Sequence, residues 1–348
     1  MTKSPILKVG IAGYGIVGKR RRHYIDLHPS LKTVAVSDQA FEGRGVLDDG
    51  VTYCSDFRDL NNKALDVIFV CLSNDVTAEA TIRGLQSGFH VFCEKPPGRN
   101  VEEIRSVLSV YENLTGLVLK YGFNHRYHDS VSDAIGIINS KDLGNVINLR
   151  GVYGKSKLIT YGQKSDWRTK RKLAGGGILL DQGIHMVDLI RLFGGEFEKV
   201  YSIISNDYWN LDVEDNAYGL MQSNEGIVAM LHSSATQWRH RFNLDITLEK
   251  GSLSLTGILS GSKSYGAESL TIAYAGADDR GDPIEETRQY DYDPSWEMEI
   301  AEFYESIENN QPVLHGSPKD ALKTMELVYN IYCADEVWKN RWNLTDGS

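Results

Sequence analysis

The sequence predicts an α/β domain built on a parallel, doubly wound sheet, followed by an α+β domain with a large, mostly antiparallel open sheet. Two patterns indicate the first domain. Short apolar runs alternate with helical patterns as far as residue 122, and a glycine-rich turn follows the first run. Beyond residue 195 strand-like runs follow one another, some joined by short turns, which indicates the second. We therefore divide the 348 residues into domains at 1–122 and 123–348.

The turn after the first strand, Gly13-Tyr14-Gly15-Ile16-Val17-Gly18, has the glycine spacing of a dinucleotide-binding loop. The first glycine permits a tight turn, the second lets a pyrophosphate approach, and the third lets the helix pack on the strand. The motif alone is weak evidence, but here a strand precedes it and a helix follows. Asp38, 20 residues beyond Gly18, is placed to accept hydrogen bonds from an adenosine ribose.

The rest of the first domain continues the alternation of strand and helix. Strand-like runs occupy 7–12, 33–36, 67–72, 90–93 and 117–121, and helical patterns occupy 16–27, 77–87 and 101–111. Ligands of parallel sheets bind at the carboxyl ends of the strands. Ser73-Asn74 and Glu94-Lys95-Pro96-Pro97 each follow a strand, so we expect both on the cofactor side. Taken alone, Glu94-Lys95 is typical of a solvated surface turn.

The second domain is predicted to be an open sheet with helices on one face. Strand-like runs occupy 145–153, 200–205, 217–222, 227–233, 242–248, 253–258 and 270–274. Helices are predicted from the glycines at 175–177 to about 193, at 296–309 and at 318–340. The links at 223–226 and 249–252 are typical of hairpins. The other face of the sheet needs a cover, which predicts a homodimer or homotetramer through this sheet.

A second set of candidate residues lies in the helix predicted after residue 177. Asp181, His185 and Asp188 are spaced i, i+4 and i+7, which puts them on one helical face. An Asp one turn before a His can orient the imidazole and raise its basicity. Gly183 costs about 1 kcal/mol in a helix interior relative to Ala, so we expect a close contact there. The alternative is a satisfied helix histidine with two surface acids.

Together these motifs resemble those of the Gfo/Idh/MocA oxidoreductases, the family of glucose–fructose oxidoreductase, inositol dehydrogenase and rhizopine-catabolism proteins. The resemblance covers essentially the whole chain. It implies a Rossmann domain, an open-sheet domain, a nicotinamide cofactor, and hydride transfer at a secondary alcohol or ketone of a sugar, nucleotide sugar or cyclitol. The matching segments are Gly13 to Gly18, Val36-Ser37-Asp38, Glu94-Lys95-Pro96, Trp167-Arg168 and the run from Gly175 to His185.

The resemblance also implies roles for individual residues. Lys95 matches the lysine that contacts the reacting oxygen, His185 the general base, and Asp181 the acid paired with that base. Arg126 and Asp188 match positions near the substrate, and no metal ligand is implied. The residues expected to contact the cofactor are Gly13, Tyr14, Gly15, Ile16, Val17, Gly18, Asp38, Ser73, Asn74, Glu94, Lys95, Trp167 and Arg168.

The cofactor predicted by these residues is NAD, with NADP disfavoured. A carboxylate at Asp38 repels a 2′-phosphate, although Arg20 or Arg44 could weaken this preference. Two positions depart from the family pattern: Ser73 stands where many members have a proline, and Thr77 where they have a histidine. We therefore expect local differences in the cofactor loop, and the same mode of binding.

Composition excludes several other classes of function. A net charge of −10 disfavours nucleic acid and anionic membranes, and the basic run Lys19-Arg20-Arg21-Arg22 is interpreted as a solvated helix face. The 4 cysteines form no C-x-x-C pair, which is typical of a reducing compartment. Neither a signal peptide nor a membrane span is predicted, so we expect a cytoplasmic protein.

Two other functions remain open within the same resemblance. Some relatives use tightly held NAD to hydrolyse glycosides through a transient oxidation. Others have lost activity and act as NAD-binding regulators, usually with part of the Lys, Asp and His set missing. Here Lys95, Asp181 and His185 are all present, which favours an enzyme.

Overall fold

The computed structural model describes residues 5–158, 167–260, 264–276, 281 and 283–345. The chain forms two units. The first extends to Phe123 and also contains Trp296–Lys323, and the second contains the rest of the described residues. The division predicted from the sequence places 296–323 in the second domain. The structure differs because this segment completes the core of the first unit.

The elements are numbered in chain order. The strands are β1 Leu7–Ala12, β2 Leu31–Ser37, β3 Arg44–Val46, β4 Thr52–Cys54, β5 Val67–Val70, β6 His90–Glu94, β7 Leu119–Gly122, β8 Val146–Gly154, β9 Phe197–Ser205, β10 Asn216–Ser223, β11 Val228–Ser234, β12 Arg241–Leu248, β13 Gly251–Thr256, β14 Glu268–Tyr274 and β15 Ile284–Tyr290. The helices are α1 Ile16–Leu27, α2 Asn74–Gln86, α3 Val101–Tyr111, α4 Asp129–Ser140, α5 Arg171–Ala174, α6 Ile184–Gly194, α7 Ser295–Glu308, α8 Pro318–Ala334 and α9 Glu336–Trp342.

The sheet of the first unit has the strand order β3-β4-β2-β1-β5-β6-β7. Every neighbouring pair is parallel except β3 with β4. The predicted parallel, doubly wound sheet is confirmed, and β1, α1 and α3 have the predicted bounds. No sequence pattern predicted β3 and β4, which have 3 residues each and lie at an edge of the sheet.

The core of the first unit is completed by a helix from late in the chain. The rings of Phe69 on β5 and Phe92 on β6 stack at 4.8 Å between centroids. Phe303 on α7 meets them edge-on, at 5.8 and 5.5 Å. All three side chains are fully buried. The burial of this apolar surface holds α7 against the first unit.

The sheet of the second unit has the strand order β15-β14-β13-β12-β8-β11-β10-β9. Only the β8–β11 pair is parallel among the neighbours in this order, so the predicted mostly antiparallel sheet is confirmed. Both predicted hairpins are present, between β10 and β11 and between β12 and β13. Helix α6 packs on β8, where a Cβ on Gly151 would lie 2.6 Å from Met186 Sδ.

The other face of this sheet carries apolar side chains in contact with solvent. Five of them, on β9, β10 and β11, are between 43% and 67% exposed: Tyr201, Ile203, Tyr218, Leu220 and Met230. On the β12 and β13 side the same face carries polar residues such as Asp245 and Ser254, with Asn243 bonded to Asp245 at 2.9 Å. The apolar surface is therefore concentrated at one end of the sheet.

Two predicted elements differ in detail. The single helix predicted at 318–340 is broken, because Asp335 accepts a hydrogen bond from Ile204 N and caps α9 by accepting from Trp338 N. The sequence also gave no prediction of α4 or of β15, whose side chains are mostly polar and exposed. No helix in the described part of the chain is long and apolar enough to cross a membrane.

Candidate active site

The glycine turn of the first unit has the shape that its sequence predicts. Gly13 adopts φ +94°, and a Cβ there would lie 2.3 Å from the carbonyl oxygen of Cys71. A Cβ on Gly18 would lie 2.0 Å from the carbonyl oxygen of Gly13. At Gly15, just before α1, nothing lies within 4 Å of such a Cβ. The turn is closed at its outer glycines and open at the middle one, where the free N–H groups of α1 suit a pyrophosphate.

Asp38 follows β2 and faces the same edge of the sheet as the glycine turn. Its Oδ1 accepts a hydrogen bond from Ala40 N at 2.9 Å. The two arginines that could offset its charge have other contacts. Arg44 donates to both carboxylate oxygens of Asp59, at 3.1 and 2.7 Å, and Arg20 lies 5.0 Å from the ring centroid of Trp296. The local charges therefore favour NAD over its 2′-phosphorylated form.

The residues after β5 show how the chain accommodates its departures from the family pattern. Ser73 Oγ donates to Asp75 Oδ1 at 2.7 Å, and the buried Asn74 is the first residue of α2. Thr77 Oγ1 donates to the carbonyl oxygen of Ser73 at 3.0 Å. The hydroxyl at position 77 therefore closes the first turn of α2.

A buried arginine, Arg21, binds the start of the segment Glu94-Lys95-Pro96. Arg21 on α1 donates from Nε to Glu94 Oε1 at 2.6 Å and from Nη2 to Glu299 Oε2 at 2.7 Å. Its guanidinium lies 4.4 Å from the Phe92 ring centroid and 4.3 Å from that of Trp296. This cation joins the helix of the glycine turn, the strand end before Lys95, and α7.

The burial of Arg21 corrects one interpretation of the sequence. The basic run on α1 was interpreted as a solvated face, but Arg21 is 0% exposed. Arg22 also has partners, Asp26, Asp49 and the hydroxyl of Tyr14. Burial raises the pKa of Glu299 to about 7, with the attraction of Arg21 and Lys120 opposing the shift. The first unit therefore contains a buried cluster of interacting charges, and this cluster contacts Glu94, the residue before Lys95.

In the second unit, Asp181 lies in a π-helical turn, Leu179–Gly183, that leads into α6. The i→i+5 bonds of such a turn change the angular offset between Asp181 and His185 from that of a regular α-helix. Glu214 holds the start of the segment by accepting from Gly177 N at 2.8 Å and Leu179 N at 3.0 Å. The continuous α-helical face predicted from the spacing is thus interrupted at Asp181.

Two cations contact the Asp181 carboxylate. Lys155, which follows β8, places Nζ 3.3 Å from Oδ2, and Arg168 places Nε 3.1 Å from Oδ1. Arg168 also lies over the ring of Trp167, 4.4 Å from its centroid. The structure thus brings together Asp181, Trp167 and Arg168 from the predicted set, and adds Lys155.

His185 is buried and stacked on a second histidine. The rings of His185 and His125 have centroids 3.7 Å apart and planes 13° from parallel. His125 Nε2 lies 3.1 Å from the hydroxyl of Tyr153, and its Nδ1 lies 3.2 Å from Asn124 Oδ1. A ring bonded at both nitrogens is fixed in its plane, so His125 restricts the orientation of His185.

Arg126 and Asp188, expected near the substrate, are paired with each other. Arg126 donates from Nε and Nη2 to the two oxygens of Asp188, at 2.7 and 2.6 Å. Thr324 Oγ1 donates to Asp188 Oδ1 at 3.2 Å. Asp188 is 0% exposed and Arg126 6%. In this geometry the pair joins α6 to the segment that contains His125.

Two family models match successive parts of the chain. The model described as "Oxidoreductase family, NAD-binding Rossmann fold" matches residues 7–122. The model described as "GFO/IDH/MocA C-terminal domain" matches residues 131–254. The chain belongs to the Gfo/Idh/MocA family of NAD-binding oxidoreductases.

Relatives of this Gfo/Idh/MocA protein include named sugar dehydrogenases. It is 28% identical over 257 residues to D-glucoside 3-dehydrogenase of Escherichia coli K12, and this match covers 67% of this chain and 71% of the relative. It is 26% identical over 220 residues to levoglucosan dehydrogenase of Pseudarthrobacter phenanthrenivorans, over 57% of this chain and 54% of the relative. The match therefore spans about half the length of that second relative.

The fold is similar to a solved structure of levoglucosan dehydrogenase in complex with NADH. The TM-score is 0.82 at 20% sequence identity, over 95% of this chain and 97% of that one. The residues of the first unit fit the NAD that the family binds, because the open Gly15 and the acid at Asp38 are both in place. In the described part of the chain, no cluster of His, Cys, Asp and Glu is arranged to hold a metal ion.

Several residues of the site were missed by the sequence-based prediction. Lys155 follows a glycine at the end of β8, and His125 and Tyr153 lie in segments with no motif. His125, directly before Arg126, is a polar residue after a predicted strand end, and that signal could have identified it. Tyr153 and Lys155 gave no comparable signal, because only the pairing of β8 in the sheet shows which way they point.

Proposed function

We propose that this protein is an NAD-dependent dehydrogenase that transfers hydride between nicotinamide and a secondary alcohol or ketone of a sugar, nucleotide sugar or cyclitol. The observation that carries the proposal is the arrangement around His185. His125 holds the buried imidazole of His185 in a fixed plane, and in the turn that precedes α6 two cations contact the Asp181 carboxylate. Such an imidazole can take a hydroxyl proton at neutral pH.

The proposed roles follow from the chemistry of oxidising an alcohol. His185, neutral, takes the proton of the reacting hydroxyl, and in reduction it returns that proton as imidazolium. Lys95 stabilises the negative charge that develops on the reacting oxygen. Asp181 favours the imidazolium form of His185 through its negative charge. NAD, when bound, supplies the hydride acceptor.

We assign the cofactor contacts to the predicted residues of the first unit, together with Trp167 and Arg168. The glycine turn binds the pyrophosphate, Asp38 binds the adenosine ribose, and Ser73, Asn74 and Glu94 flank the nicotinamide side. We propose that Arg126 and Asp188 act on the substrate indirectly, because their ion pair holds α6 against the segment that contains His125. The four cysteines have free thiols, which supports the proposed cytoplasmic location.

The test is a panel of polyols, sugars and nucleotide sugars with NAD, followed by the absorbance of NADH. We expect net NADH with at least one compound. Lys95→Ala and His185→Ala should each lower kcat by about a hundredfold or more, while NADH binding, measured by fluorescence, largely survives. Lys32→Ala and His23→Ala, both exposed, are the matched controls and should retain activity. Unchanged kcat in either active-site variant would count against these roles.

The same panel separates the alternatives. An NAD-dependent glycosidase would release sugar from glycosides without net NADH. A regulator would bind NADH and turn over none of the compounds.

We also propose that the protein is a homodimer or homotetramer formed through the apolar end of the second sheet. The exposed side chains of β9, β10 and β11 make a contiguous apolar surface of the kind that a second copy of the chain covers.

A further inference from the structure

The carboxamide of Gln182, between Asp181 and Gly183, is buried within the candidate site. Gln182 is 6% exposed. Its Nε2 donates to the hydroxyl of Tyr265 at 2.8 Å, and a further hydrogen bond joins Gln182 to the hydroxyl of Tyr153. Its Oε1 is buried and has no hydrogen-bond partner within the described residues. The nitrogen of this amide is therefore bonded to protein, and among the described residues the oxygen has no donor.

The orientation of the carboxamide follows from a series of hydrogen bonds that begins at Ser295. Asn124 Nδ2 donates to Ser295 Oγ at 3.0 Å, which turns Asn124 Oδ1 toward His125 Nδ1, 3.2 Å away. An amide oxygen only accepts, so His125 carries its proton on Nδ1. His125 Nε2 is then an acceptor and takes the hydroxyl proton of Tyr153 at 3.1 Å.

This series fixes which atom of Gln182 is the acceptor. Because Tyr153 donates its hydroxyl proton to His125, its oxygen can only accept from Gln182. The NH2 group of Gln182 therefore faces both phenols, and Oε1 points away from them. The amide is held between two tyrosines whose ring centroids are 5.3 Å apart.

A buried acceptor with no donor is unfavourable, and most such groups in folded proteins are satisfied. At this position a substrate hydroxyl can supply the missing donor. We propose that Gln182 Oε1 accepts a hydrogen bond from a substrate hydroxyl other than the one oxidised. The site would thereby select polyols with a free hydroxyl at that position and reject the deoxy analogue. This inference rests on the proposed function, because it takes a polyol to be the substrate.

The test measures binding, so it does not depend on turnover. Dissociation constants of myo-inositol, levoglucosan, D-xylose and methyl β-D-glucoside are measured by calorimetry on the protein with NADH. The tightest binder is then compared with each of its monodeoxy derivatives. For the wild type we expect one derivative to bind about tenfold or more weakly than its parent. In Gln182→Met the dissociation constant of that derivative should be nearly equal to that of its parent, because the acceptor is gone.

Two further variants separate hydroxyl recognition from a structural effect. Gln182→Glu keeps an acceptor at this position, so it should retain discrimination against the same derivative. Gln289→Met, exposed on β15, is the matched control and should behave as wild type. If Gln182→Met is unstable, the comparison of Gln182→Glu with wild type still tests the acceptor, since loss of discrimination there contradicts its role.

The outcomes separate this inference from the proposed function. Discrimination that depends on Gln182 in a protein that makes no NADH supports the inference and contradicts the dehydrogenase. A second outcome is NADH production while the ratio of the dissociation constants of deoxy derivative and parent is the same in wild type and Gln182→Met. That result supports the dehydrogenase and overturns the inference. Absence of saturable binding by all four compounds also overturns the inference.

Discussion

Asp38 is the residue whose charge separates the two nicotinamide dinucleotides. Its carboxylate can accept from ribose hydroxyls, and it repels a 2′-phosphate. Arg44 is bonded to Asp59 and Arg20 lies over Trp296, so neither contacts Asp38. We expect Asp38→Ala to bind NADH more weakly and NADPH more tightly. The ratio of the two dissociation constants should change by about tenfold or more.

This ratio is measured by fluorescence titration of each reduced cofactor, which needs no substrate. Asp48→Ala, at an exposed position between β3 and β4, is the matched control and should leave the ratio unchanged. An unchanged ratio in Asp38→Ala would show that the acid does not select the cofactor.

The difference between Gly18 and Arg21 shows how far single residues could be predicted. Gly18 belongs to a local motif, and its need for glycine depends on Gly13, five positions earlier. Arg21 is buried by residues far along the chain, since Glu299 lies 278 positions away. An exposed arginine and a buried arginine on a helix have the same sequence pattern. Only the tertiary fold shows that Arg21 is buried.

The π-helical turn before α6 depends on Gly183. A Cβ at this position would lie 2.1 Å from Ser233 Oγ and 2.9 Å from Ser233 Cβ. Ser233 is fully buried on β11 and its short side chain cannot move aside. We expect Gly183→Ala to lower the free energy of unfolding by about 1–3 kcal/mol and to reduce activity, because the strain displaces Asp181 and His185.

Urea denaturation of Gly183→Ala measures this loss. Gly136 on α4 is the matched control, since nothing lies within 4 Å of a Cβ there. Gly136→Ala should raise stability by about 0.5–1 kcal/mol through the restricted unfolded chain. A Gly183→Ala protein as stable as wild type would contradict the close contact.

Helix α7 brings a carboxyl group with a raised pKa into the first unit. Glu299 has its pKa raised to about 7 by burial, and Arg21, Lys120 and Glu94 are the charges that act on it. Between about pH 5 and 7 the folded protein holds a proton here that the unfolded chain has released. The carboxyl therefore favours folding at acid pH, and this contribution falls as the pH rises through that range, by about 2–3 kcal/mol in all.

Glu299→Gln removes this titration, so its stability should fall less steeply than that of wild type between about pH 5 and 7. The free energy of unfolding in urea, measured across this range, gives the slope. Glu305→Gln, exposed on the same helix, should keep the wild-type slope. Equal slopes for wild type and Glu299→Gln would contradict the raised pKa of Glu299.

At the level of elements, predictability depends on how much of each pattern is local. Helices α1 and α3 and strand β1 were predicted to the residue, because apolar periodicity and flanking turns define them. The break in the last helix at Asp335 was not predicted, because the hydrogen bond that stabilises it is donated by Ile204 N on β9. The π-helical turn was also not predicted, since Glu214 and Ser233, which contact this segment, lie far along the chain.

For the whole molecule, the distribution of apolar side chains over the open sheet is the feature that bears on assembly. Alternation along β9 and β10 predicts one buried and one outward face, and the outward face here is itself apolar at one end. The sequence could predict that this face is covered, because the strands alternate over their whole length. It could not show which end carries the apolar surface, since that depends on the strand order.

Ile203, on β9 and 66% exposed, is the position at which the proposed assembly can be tested. Ile203→Asp places a charge in the apolar surface, where burial against a second copy would leave it unpaired. We expect light scattering at micromolar concentration to give a multiple of the 39.0 kDa chain mass for wild type and a shift toward 39.0 kDa for the variant. Leu27→Asp, also exposed but on α1, is the control and should assemble as wild type does. A wild-type mass of 39.0 kDa would contradict an assembly through this sheet.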